Sequence, residues 1–122
     1  MLKGFHHAAI STPDLDRCLA FYRDLLGCEV VRQFGWPAGV GAADRRPGRK
    51  GAAARGALLR PGGSDLEVFE FSAPPPRPAT GDRPACDHGI SHLCIEVRDL
   101  PAEYARLAGA GMRFHSPPLS DE

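Results

Sequence analysis

Polar and apolar positions alternate through residues 4–12. Phe5, His7, Ala9 and Ser11 share one parity, and Ala8 and Ile10 share the other. Side chains two apart lie on one face of a strand, so the pattern predicts a strand packed on a helix through Ala8 and Ile10, with His7 on the opposite, concave side. Thr12-Pro13-Asp14 reads as a helix start: Thr12 or Asp14 offers an oxygen to free N–H groups, and Pro13 suits the first turn, where no N–H is needed. Leu15, Cys18, Leu19, Tyr22 and Leu26 recur at spacings of three and four, the stripe of an amphipathic helix. Gly27 stands where helices often end in a left-handed residue. Glu29 to Phe34 resumes as a β-branched, alternating strand.

Residues 35–52 are rich in Gly, Ala and Pro and carry the basic cluster Arg45, Arg46, Arg49 and Lys50. They read as a solvated loop, with a lid over an acidic substrate as the sharper alternative. Ala54 to Arg60 predicts a strand, Pro61-Gly62-Gly63-Ser64 a turn, and Asp65 to Ser72 the returning strand. On that last strand Leu66, Val68 and Glu70 fall on one face, with Glu70 expected to reach solvent. Glu67, Phe69 and Phe71 fall on the other, which places Glu67 toward the same hollow as His7. A proline-rich linker follows, which cannot enter a helix or a central strand. Gly89 to Val97 alternates again, with Leu93, Ile95 and Val97 on the face expected to meet a helix and His92, Cys94 and Glu96 opposite. Asp99 is expected to cap a helix containing Leu100, Tyr104, Leu107 and Ala108 and ended by Gly109 and Gly111. Met112 to His115 reads as a further strand stopped by Pro117-Pro118.

The two alternating segments are copies of one plan. His7-Ala8-Ala9-Ile10-Ser11-Thr12-Pro13-Asp14-Leu15 and His92-Leu93-Cys94-Ile95-Glu96-Val97-Arg98-Asp99-Leu100 each open on His, place Ile three residues on, and close on Asp-Leu before a helix. An internal repeat fixes the architecture before single residues are interpreted. Here it predicts an α+β fold of paired βαβββ modules, the second stopping after its third element. The expected boundaries are residues 1–72 for the first module, 73–86 for the linker and 87–122 for the second module, all within one structural domain.

Composition narrows the partners. The 122 residues suffice for one domain with a real core, and the formal charge of zero lacks the basic surplus that nucleic acid or an anionic membrane demands. No apolar run approaches the ~20 residues that span a bilayer, and no apolar leader opens the chain, so a cytoplasmic protein is expected. Cys18, Cys28, Cys86 and Cys94 show no C-x-x-C spacing, which argues for free thiols packed as small apolar groups rather than a zinc knuckle.

The opening repeat, together with Phe21-Tyr22-Arg23-Asp24-Leu25-Leu26-Gly27-Cys28-Glu29-Val30-Val31, Leu66-Glu67-Val68-Phe69-Glu70-Phe71 and Gly89-Ile90-Ser91-His92 onward, resembles the vicinal oxygen chelate superfamily of glyoxalases, bleomycin-resistance proteins and extradiol dioxygenases. The resemblance implies a curled sheet around a divalent metal site, with His7, Glu67 and His92 as metal ligands. Family members carry a further Glu on a strand that this sequence does not contain. Imidazole nitrogen and carboxylate oxygen suit zinc, nickel, iron, cobalt or manganese. Phe69, Phe71, Cys94 and Trp36 are expected to line the substrate pocket, and His6 points away from it. The function implied is a metal-dependent lyase, isomerase or dioxygenase acting on a small vicinal-oxygen substrate, in a homodimer. The alternatives are a metal-free small-molecule-binding protein of the drug-sequestering type, or an inactive, shortened member of the superfamily.

Overall fold

Four strands form where the sequence alternates, and they join into one mixed sheet. β1 (His7–Ser11) leads into α1 (Leu15–Leu19), whose path continues as a wider, π-helical turn over Ala20–Leu25. β2 (Glu29–Trp36), β3 (Ala53–Arg60) and β4 (Asp65–Ala73) follow. The strand order is β1-β4-β3-β2, with β1 parallel to β4 and the other pairs antiparallel. The computed structural model describes residues 1–41, 45, 47–78 and 83–119. Arg46 of the basic cluster and residues 79–82 of the linker lie outside these. The chain divides into two units, Met1–Asp82 and Arg83–Glu122. No helix among the described residues is long and apolar enough to cross a membrane.

In the first unit the helical stripe meets one face of the sheet. Leu15 and Leu19 are buried against Ala57, Leu59, Leu66 and Val68, with Ile10, Cys18, Tyr22, Leu26 and Val30 packed around them. Leu59 and Val68 are fully buried, and each such side chain contributes about 2 kcal/mol by leaving water. Burial also raises the pKa of the Cys18 and Cys28 thiols, so both stay protonated as small packing groups. The helix start is capped by Asp14, whose Oδ1 accepts the Arg17 N–H at 2.9 Å. Pro13 therefore precedes the cap instead of occupying the first turn. Gly27 takes φ +74°, and the N–H groups of Gly27 and Cys28 close the end on the carbonyls of Arg23 and Tyr22.

Glu70 does more than face solvent. It shares the helix-side face with Leu66 and Val68 and stays partly exposed, but its carboxylate is engaged. Its Oε2 accepts the Leu15 N–H at 2.6 Å and an Arg55 N–H at 2.8 Å, tying the start of α1 to the sheet. A carboxylate at unsatisfied N–H groups of a helix start is favoured by both hydrogen bonding and the helix dipole.

The second unit contains α2 (Leu100–Gly109), capped by Asp99, whose Oδ1 accepts the Ala102 N–H at 3.0 Å. The same residue type therefore caps the helix in both copies of the repeat. Tyr104 and Phe114 pack ring to ring at 4.7 Å, and Leu107 is buried. The strands expected at Gly89–Val97 and Met112–His115 do not form among the described residues of this unit. A strand needs a ladder partner. β1 has one in β4, and no described strand of the second unit plays that part.

Candidate functional site

Register across the first sheet builds its concave face row by row. Arg32 pairs with Leu58, and Leu58 with Glu67; Phe34 pairs with Gly56, and Gly56 with Phe69; Trp36 pairs with Ala54, and Ala54 with Phe71. Paired residues share a face, so charged and aromatic side chains stand at the ends of each row over small or apolar middles. On the far side Glu67 pairs with Ala9, whose methyl leaves the diagonal open to His7.

A β-bulge makes this arrangement possible. Between Val30 and Arg32 the β2 register slips by one residue. Val30 packs into the core, and Arg32, Phe34 and Trp36 turn to the concave side. A regular strand would have put all four on one face.

The result is a cavity of about 750 Å³ with a charged end and an aromatic end. His7, Glu67 and Arg32 form the charged end. His7 Nε2 lies 3.6 Å from Glu67 Oε2, and an Arg32 guanidinium nitrogen lies 3.7 Å from Glu67 Oε1. The Glu67 side chain is only 15% exposed, which makes it part of the cavity wall and not a solvated surface carboxylate. The His7 ring is also held from behind, with Nδ1 2.8 Å from His6 Nδ1. The aromatic end is a contiguous cluster. Phe34 stacks on Trp36 at 6.1 Å, Phe69 meets both rings edge-on, and Phe71 packs on Trp36 and Phe69. Trp36 Nε1 is buried and has no hydrogen-bond partner.

Of the site residues expected from the sequence, His7, Glu67, Trp36, Phe69 and Phe71 thus meet at one cavity. His92 and Cys94 belong to the second unit, where both are exposed; His92 Nδ1 lies 2.9 Å from Ser91 Oγ. Arg32 and Phe34 are additions that sequence reasoning missed. The alternation Arg32-Phe34-Trp36 carries the signal, but the bulge beside it conceals which face those residues take.

The superfamily resemblance implies a metal ion, and the donors of the first unit fit one in type and spacing. Two ligands of one tetrahedral zinc ion stand about 3.3 Å apart, close to the His7–Glu67 separation of 3.6 Å. Within either unit, no three His, Cys, Asp or Glu side chains among the described residues are gathered closely enough to hold an ion. The first unit alone therefore supplies two donors.

Comparison with known proteins agrees with this architecture. Residues 4–121 match the family model described as Glyoxalase/Bleomycin resistance protein/Dioxygenase superfamily. The chain is 35% identical over 117 residues to a 2-epi-5-epi-valiolone epimerase of Actinomyces sp., covering 93% of this chain and 62% of that protein. It is 31% identical over 122 residues to the mitochondrial methylmalonyl-CoA epimerase of Mus musculus, covering 99% of this chain and 58% of that protein. The chain thus spans about six-tenths of the length of both relatives. A crystal structure of a glyoxalase family protein from Bacillus cereus superposes with a TM-score of 0.78 at 21% identity, covering 91% of this chain and 74% of that one, which shows the fold.

Proposed function

The chain belongs to the Glyoxalase/Bleomycin resistance protein/Dioxygenase superfamily, and we propose that within it this protein is an epimerase-type isomerase acting on a small substrate with adjacent oxygens. Two relatives named as epimerases support the isomerase class over the lyase and dioxygenase classes. The observation that carries the site is the approach of His7 Nε2 to Glu67 Oε2 at 3.6 Å inside the cavity.

In this reading His7 and Glu67 hold a divalent ion. When bound, the ion supplies a Lewis acid that favours negative charge on a substrate oxygen. The aromatic wall displaces water and orients the apolar part of the substrate. Arg32 offsets the charge of Glu67, and His6 fixes the His7 ring from its Nδ1 side. Epimerisation breaks one C–H bond beside a carbonyl and remakes it on the opposite face, so nothing is oxidised or reduced. Among the described lining residues the two proton acceptors are His7 and Glu67, which this reading gives to the ion.

The sheet leaves β1 and β2 as outer strands of the first unit, edges that a second copy of the chain can cover. A homodimer is part of the proposal, and a stable monomer in sedimentation at micromolar concentration would count against it.

The test is proton exchange. Incubated with methylmalonyl-CoA in D2O, the protein should place deuterium on the carbon between carboxylate and thioester faster than buffer alone, and His7→Ala should abolish the excess. Exchange no faster than buffer would remove the isomerase reading. A second reading, a metal-free binder of flat apolar molecules, is favoured by the contiguous rings of Phe34, Trp36, Phe69 and Phe71. Stoichiometric binding of an aromatic drug by protein stripped of metal, with no exchange activity, is the result that would select it.

A further inference from the structure

Most of the arginines that make ion pairs in the described residues are closely paired with carboxylates. Arg23 meets Asp24 at 2.6 Å, Arg55 meets Glu70 at 2.8 Å and Asp16 at 2.9 Å, and Arg60 meets Asp65 at 2.8 Å. Arg32 is different. Its nearest anionic partner, Glu67, is at 3.7 Å, beyond hydrogen-bond reach, and its side chain is 56% exposed. Yet its guanidinium is not free to wander: the central carbon sits 5.1 Å above the Phe34 ring, a cation–π contact that holds the planar fork at the cavity wall. Among the described lining residues it is the one Arg or Lys. A guanidinium oriented in this way, with open N–H groups, suits bidentate capture of a carboxylate.

Four rings form a contiguous apolar cluster next to Arg32, Phe34 stacked on Trp36 and Phe69 and Phe71 set mostly edge-on to them.

We infer that Arg32 is the specificity-determining residue of the cavity, taking the carboxylate of a ligand whose apolar body lies against Phe34, Trp36, Phe69 and Phe71. The inference rests on the proposed substrate site and names its substrate class: an anionic carboxylate bearing a vicinal oxygen, with a neutral analogue discriminated against.

Trp36 is the chain's single tryptophan, so its fluorescence reports the cavity directly. The probes are mandelate and its neutral counterpart phenylethanediol, titrated into metal-free full-length protein. The wild type should prefer mandelate by about tenfold or more, the contribution of a charge-assisted hydrogen bond. Arg32→Gln should bind the diol as the wild type does and lose the preference, and Arg32→Lys should recover part of it. An equal affinity of the wild type for both probes, no fluorescence response to mandelate, or an unchanged preference in Arg32→Gln would each overturn the inference. Because the titration needs neither metal nor turnover, its outcome is separable from the exchange test. Arg32-dependent binding without exchange keeps this inference and loses the isomerase, and exchange without Arg32-dependent binding does the reverse.

Discussion

The ring of Phe34 fills the space that any side chain at residue 56 would need. A Cβ built on Gly56 falls 2.7 Å from two Phe34 ring carbons and 2.5 Å from the Val68 carbonyl oxygen. The aromatic wall of the cavity thus depends on a glycine in the middle of β3, where glycine is otherwise unfavourable. Gly56→Ala should cost about 2 kcal/mol through overpacking and should displace the Phe34–Trp36 stack. Urea unfolding followed by Trp36 fluorescence reads both effects. An unchanged midpoint with an unchanged native emission spectrum would show that the wall does not need Gly56.

Leu59 faces the opposite way, fully buried under α1. Leu59→Ala should destabilise by about 3 kcal/mol, the usual cost of a buried leucine cavity. Affinity for a cavity ligand should change little, since Leu59 belongs to the helix-side face. A large affinity loss at full occupancy of the folded state would mean that the two faces are coupled.

Glu70 links the sheet to the start of α1, and its pKa is lowered by the Arg55 hydrogen bond first and the Leu15 N–H second. A carboxylate whose pKa falls on folding stabilises the protein above its unfolded value and loses that contribution as pH drops through its lower folded value. Glu70→Gln keeps an acceptor for Leu15 and loses the charge facing Arg55. Wild type should therefore exceed Glu70→Gln in thermal stability at neutral pH, and the gap should close as the pH falls below about 4. A gap that persists at lower pH would assign the effect to packing and not to charge.

What the sequence made legible, and what it concealed, follows from how local each signal is. The His7 strand, the Leu15–Leu26 stripe and the alternation of β4 are carried by residues a few positions apart, and they appear at those positions. The α+β class follows from their order. Arg32 and Phe34 escaped notice because their facing is set by a register slip against β3, a contact between distant strands. The role of Glu70 was hidden for the same reason: Leu15 and Arg55 reach it only once the sheet is assembled. Residues 89–97 alternate as clearly as β1 does, but alternation only prepares a strand and a neighbouring strand completes it.

The proposed function requires that His7 and Glu67 share one divalent ion. Metal content after reconstitution with zinc or manganese and removal of excess ion should be stoichiometric in the wild type, and should fall sharply in His7→Ala and Glu67→Ala. Equal metal content in wild type and both variants, each shown to be folded, would contradict it.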